Sequence, residues 1–102
     1  MSILNTVNKS PFERNALESC LKFANGGDPL LLFEDGVYAV LKGTSAEGQV
    51  KAALDKQSIY VLGPDLKARG FTEDRLIEGV KVVDYAGFVD LAAENDKVQA
   101  WL

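Results

Sequence analysis

Residues 3–27, ILNTVNKSPFERNALESCLKFANGG, read as a strand, a helix start and a helix, and the remainder of the chain repeats that alternation. Ile3–Val7 is short and β-prone, with apolar residues at both ends. Ser10 suits an N-cap, because its hydroxyl can accept a bond from an unpaired backbone N–H. Pro11 falls at the first helical position, where its missing N–H costs nothing. Glu13 stands three residues after Ser10, the spacing of a capping box. The expected helix runs from Pro11 to about Ala24, stopped by Asn25-Gly26-Gly27. At about 3.6 residues per turn, Phe12, Ala16, Leu17, Cys20, Leu21, Phe23 and Ala24 share one side, which is expected to be buried. Cys20, the only cysteine, lies near the middle of that arc. Its phase reads as a small core residue. The other reading is a reactive thiol, which needs access and a lowered pKa.

Beyond this stretch, Asp28-Pro29 favours extended backbone. Leu30-Leu31-Leu32-Phe33 is a continuous apolar run, as in strands covered on both faces. Val37–Lys42 reads as a short helix capped by Asp35 and stopped by Gly43; a hairpin at Asp35-Gly36 is the alternative. Thr44 with Glu47 repeats the capping-box pattern and opens a helix to about Lys56, with Val50, Ala53 and Leu54 inward. Ser58–Leu62 is the third strand. Gly63-Pro64-Asp65 breaks it, and Asp65 is expected to cap a single turn to Arg69 that Gly70 ends. Thr72 caps a short helix through Leu76 and Ile77, and Val80–Val83 is the fourth strand. Asp84 caps a helix from Tyr85 to about Asn95, with Tyr85, Phe88, Val89 and Ala92 on one face. Lys97–Leu102 alternates and reads as a short final strand. Strands alternating with helices, without repeat or linker, predict a single α/β domain over 1–102. The expected form is a three-layer α/β/α arrangement around a mostly parallel sheet of about four or five strands.

The bulk composition narrows the function classes. The chain has 102 residues, 47 % of them apolar and 25 % charged, which is the balance of a globular domain. Eleven basic residues against fifteen acidic ones leave a net charge of −4, with no basic cluster to track a phosphate backbone. Direct nucleic-acid binding is therefore not expected. No apolar run approaches the length of a membrane span, and the first residues lack a charged-then-apolar signal pattern. One cysteine cannot form an intrachain disulfide, which fits a reducing compartment. The expected setting is a cytoplasmic protein without membrane contact.

Ligands of an open parallel sheet gather beyond the carboxyl ends of its strands. Those ends bring Glu34, Asp35, Asp65 and Asp84, which read either as paired carboxylates for acid–base work or metal binding, or as helix caps. Capping accounts for three of the four. Gly43-Thr44-Ser45-Ala46-Glu47-Gly48 has the outer glycine spacing of a P-loop but lacks the lysine that would clamp a phosphate. There is no histidine, which removes Ser-His-Asp and Cys-His catalysis and the commonest metal ligand. Trp101 reads equally as an interface anchor or as core filler. Neither a cofactor nor a metal is expected.

Several segments taken together resemble the DsrH/TusB family. They are Leu4–Pro11 (LNTVNKSP), Leu32–Ala39 (LFEDGVYA), Asp65–Gly70 (DLKARG), Asp84–Leu91 (DYAGFVDL) and Val98–Trp101 (VQAW). The resemblance implies a DsrE/DsrF-like α/β fold. It also implies a heterohexamer of three related small subunits in two copies each, made with sister DsrE-like and DsrF-like chains. Such a complex passes sulfane sulfur, as a cysteine persulfide, between small sulfur-carrier proteins. Its principal sulfur-carrying cysteine belongs to a sister subunit. Cys20 matches the cysteine typical of the DsrH branch, which makes it the one candidate catalytic residue, as a persulfide carrier. That match points to cytoplasmic sulfur oxidation as the expected pathway. The alternative is a TusB-type subunit, purely structural, in the relay that ends in 2-thiouridine of tRNA.

Overall fold

The computed structural model describes residues 2–13, 15–24 and 26–101. Five strands form one sheet: β1 (Ile3–Val7), β2 (Leu30–Leu32), β3 (Ile59–Leu62), β4 (Lys81–Val83) and β5 (Lys97–Trp101). All four pairings are parallel, in the order β4-β3-β2-β1-β5. The helices are α1 (Ala16–Phe23), α2 (Glu47–Ala53), α3 (Gly63–Ala68) and α4 (Tyr85–Glu94), with 3₁₀ segments at Glu34–Val40 and Glu73–Arg75. The α/β class and the parallel sheet expected from the sequence are both present.

The strand order follows from handedness. From β1 to β4 each strand is laid down on the same side of its predecessor, so right-handed crossovers must send every connection over the same face. The return from β4 to β5 runs the opposite way, and its helix, α4, must cover the other face. The core divides accordingly. On one face Val7, Leu30, Leu32, Ile59 and Val61 bury against Leu17, Cys20, Val40, Val50 and Leu66. On the other, Leu4 and Leu31 meet Leu91 of α4, joined by Tyr60, Phe88 and Ala92. β2 is buried on both faces, which explains its unbroken leucines.

Only part of the local capping grammar carries over. Ser10 does accept a bond from the Phe12 N–H (3.2 Å), and the Glu13 N–H reaches the Ser10 carbonyl (3.1 Å). These bonds close a turn, not the first turn of α1, which starts only at Ala16 after Asn15. Phe12 and Phe23, expected inward, are exposed. The core fully buries only the central Ala16-Leu17-Cys20 stripe of the short helix, with Leu21 and Ala24 packed partly buried at its border. Gly27 takes a left-handed φ of 93° at the end of the connection, while Asn25 lies outside the described residues. Leu102, the last residue of the expected final strand, does too.

Five further expectations are corrected. Asp35 does not cap the 3₁₀ segment, whose N-cap is Phe33, because its carboxylate is held by Arg69. Asp65 does not cap α3, because it is spent on a backbone N–H of another segment; α3 itself starts at Gly63, with Pro64 in its first turn. Thr72 gives its hydroxyl to Asp74, and Leu76 and Ile77 leave the helix, Leu76 pairing with Leu41 as an isolated bridge. In the second capping box, Glu47 accepts from the Gly43 N–H (2.6 Å), one residue beyond Thr44. On α4, Phe88 and Ala92 pack inward, but Tyr85 and Val89 are exposed; Leu91 takes their place.

Asp84 behaves as the sequence predicts. Its Oδ1 accepts from the Gly87 N–H at 2.8 Å, the N3 bond of a capped helix. Replacing Asp84 with alanine should therefore cost about 1 kcal/mol. A shift in the urea midpoint at unchanged slope would report it, and an unchanged midpoint would show that the cap does not hold α4.

Candidate functional site

Cys20 sits in the middle of α1, the helix laid over β1 and β5. It is 0 % exposed, and its neighbours in the core are apolar. Burial pushes its pKa up from the ordinary 9.0 to about 12, and among the described residues no cation or hydrogen-bond donor favours the thiolate. The group is therefore a protonated thiol at neutral pH. Persulfide exchange requires a thiolate with a path to the incoming sulfur, whereas the Cys20 thiol is enclosed by apolar packing.

The polar cluster lies at the carboxyl ends of β1, β2 and β3. Glu34 has a left-handed φ of 49°, a conformation that costs a non-glycine residue about 1–2 kcal/mol. Two bonds hold it there. Its N–H donates to Asp65 Oδ2 at 2.6 Å, and its Oε1 accepts from Asn8 Nδ2 at 3.1 Å. Beside it, Arg69 Nε and one terminal nitrogen both donate to Asp35 Oδ1, at 3.1 and 2.9 Å. The other terminal nitrogen reaches the Asp65 carbonyl at 3.3 Å. Asn8 Oδ1 is buried with no partner among the described residues.

Glu34, Asp35 and Asp65 are thus brought together, as their position after the strands predicts, but each is tied to a structural donor. They fasten the 3₁₀ segment to α3. Asp84 stands apart at the start of α4. Arg69 is the residue the sequence reading missed; Asp65-Leu66-Lys67-Ala68-Arg69 spaces it one helical turn after Asp65, but its pairing with Asp35 spans 34 positions. Among the described residues no group of three or more Cys, His, Asp or Glu is placed to hold a metal ion.

A groove of about 680 Å³ opens between the starts of α3 and α4. There the connections from β3 and β4 leave the sheet on opposite sides, the usual place for a crevice in this architecture. Leu66, Phe71, Val82 and Val83 form its apolar wall, and Lys67 and Asp84 stand in its polar part. It contains no thiol. Trp101 packs against the first-face core, and its Nε1 donates to Asn5 Oδ1 at 3.1 Å, so it fills space inside the chain.

Comparison with known proteins gives a consistent result. The family model described as DsrH like protein matches residues 9–98. Protein TusB of Pectobacterium parmentieri is 36 % identical over 99 residues, covering 97 % of this chain and 100 % of that protein. Protein TusB of Erwinia tasmaniensis is 38 % identical over 100 residues, with the same coverage. Among solved structures, the ychN protein from E. coli superposes with a TM-score of 0.87 at 20 % identity, covering 98 % of each chain. A Methanobacterium thermoautotrophicum protein of unknown function follows with 0.73 at 16 %, covering 96 % of this chain and 97 % of its own. At such identities the structural likeness speaks for the fold alone.

Proposed function

This chain belongs to the DsrH-like protein family, and from that premise we propose that it is a TusB-type assembly subunit of a sulfur relay, serving the branch that ends in 2-thiouridine of tRNA. Its partners are a DsrE-like and a DsrF-like sister subunit, in a cytoplasmic heterohexamer with two copies of each, and the small sulfur carriers those subunits serve. The persulfide travels on a sister subunit's cysteine. The observation that carries this reading is the packing of Cys20: the only thiol of the chain is 0 % exposed and raised to a pKa of about 12. A subunit without an available thiolate contributes surface and geometry to a relay.

The curated relatives named above, full-length matches called TusB, favour the tRNA branch over sulfur oxidation. The presence of Cys20 at the position typical of the DsrH branch is the one observation on the other side. The outer face of α4 suits an assembly role, since Tyr85 and Val89 stand one helical turn apart and are 61 % and 66 % exposed.

Complementation tests the reading directly. In a bacterium whose own TusB gene is deleted, this chain should restore 2-thiouridine to bulk tRNA, measured by mass spectrometry of nucleosides. It should also retain both sister subunits on a tagged chain. Restored binding without restored thiolation would move the assignment to the sulfur-oxidation branch, and neither effect would remove it from a relay of this kind.

A further inference from the structure

We propose that two copies of this chain join edge to edge through β5, in an antiparallel register centred on Gln99. β5 ends the sheet and, among the described residues, pairs with β1 alone, so its outer edge offers backbone N–H and C=O groups to another strand; the Ala100 carbonyl accepts from the Gln99 side-chain amide at 3.2 Å, a bond that a pairing strand would exchange for its own. Lys97, Val98, Gln99 and Ala100 are all exposed. The opposite edge, β4, has three residues against the five of β5, so β5 gives the longer ladder. Edge strands are commonly guarded by charge or proline. Here the strand has no proline, and its one charge, Lys97, stands at its first position.

The register selects a second copy as the occupant. Turned about Gln99, the strand sets Lys97 opposite Trp101 of the second copy, Val98 opposite Ala100, and Gln99 opposite Gln99. Lys97, Gln99 and Trp101 alternate onto the face that carries α1, where Trp101 packs, and Val98 and Ala100 onto the other. Directly opposed residues of an antiparallel pair share a face, so each side chain meets one of matching chemistry. An ammonium group against an indole is favourable, valine against alanine is apolar, and two facing amides can exchange hydrogen bonds. No like charges face each other. The chain as a whole carries −4, which opposes self-association, but within β5 itself the only charged side chain is Lys97, with Asp96 just before it, so the join adds no facing carboxylates.

A Gln99→Cys variant tests the join, because Cys20 is buried and leaves the introduced thiol as the accessible one. With oxidised glutathione as the oxidant, two facing thiols close one disulfide while glutathione disulfide is reduced to two thiols. In a strand-paired dimer the two thiols have an effective concentration of the order of mM, so at ~50 μM chain the Q99C dimer should form at least about tenfold faster than one from K51C, an exposed control on α2. Adding V98K and A100K to Q99C sets lysine against lysine across the join, and should bring its rate down to that of the control. Rates for Q99C and K51C within about twofold, or a Q99C rate indifferent to the lysine pair, would overturn the proposal. Retention of sister subunits does not enter this measurement, so failure of the join and failure of the relay role are told apart.

Discussion

Replacing Gly36 with alanine should lower stability by about 3 kcal/mol, at the upper end for an overpacked core position, and the melting temperature by roughly 12–24 °C. The reason lies in the junction between β1, β2 and the 3₁₀ segment. The Val7 carbonyl accepts from the Phe33 N–H at 3.1 Å, and the Gly36 N–H closes back on the Phe33 carbonyl at 2.9 Å. A Cβ on Gly36 would lie inside the van der Waals envelope of that same Val7 oxygen. The obstacle is backbone at the carboxyl end of β1, an interior strand paired on both sides, which cannot rotate aside as a side chain can. The segment would have to lift, pulling Val37, Ala39 and Val40 out of the core, all of them 0 % exposed. Gly48 on α2 supplies the contrast, because a Cβ there meets nothing within 4 Å. Gly48→Ala should therefore stabilise the chain by roughly 0.5–1 kcal/mol. Thermal unfolding of the two variants beside the parent settles the matter. A Gly36→Ala melt coincident with the parent's would mean that the close approach at Val7 is relaxed in solution.

Gly36 also marks where the sequence could be read and where it could not. Asp-Gly after an apolar run announced a turn or a cap, and either reading treats the glycine as a matter of its own φ. Its actual constraint is a strand about thirty residues earlier. The same holds for Asp35 and Asp65. Capping rules look three residues ahead, whereas these carboxylates are claimed by Arg69 and by the Glu34 N–H, 34 and 31 positions away. Asp84, which has no such distant claimant among the described residues, caps its helix as predicted. Strands were the most legible elements, because β2 and β3 are apolar runs bounded by Pro29 and Gly63. Their order was hidden in the sequence, although the handedness of the crossovers explains it once the sheet is seen. Helical phase placed Cys20 correctly and Phe12 and Phe23 wrongly. A wheel gives direction but not how much of a short helix the sheet can cover.

Cys20→Ser should separate a packed thiol from a relay thiol. Exchanging sulfur for a hydroxyl keeps the shape but places a polar group in an apolar core, at a cost of about 1–3 kcal/mol. The cost is softened where the hydroxyl bonds back to the Ala16 carbonyl one turn earlier. In the assembly role proposed above, the hexamer still forms and sulfur still reaches the acceptor at the parent rate. A relay role requires the reverse: an unchanged melt, and transfer lost. The thiol's titration gives a second, independent reading. Its pKa rises from 9.0 to about 12 on folding. Below about pH 9 both folded and unfolded chains keep the proton, and the contribution is fully present. Above that the unfolded chain releases it first, so stability falls as pH climbs towards about 12, by at most about 1.4 kcal/mol per pH unit. Cys20→Ala removes this component, so the difference between the parent and Cys20→Ala in urea stability should shrink between pH 9 and 12. A difference that stays constant across that range would mean that the thiol ionises as freely in the folded chain as in the unfolded one. Cys20 would then be open to an incoming persulfide after all.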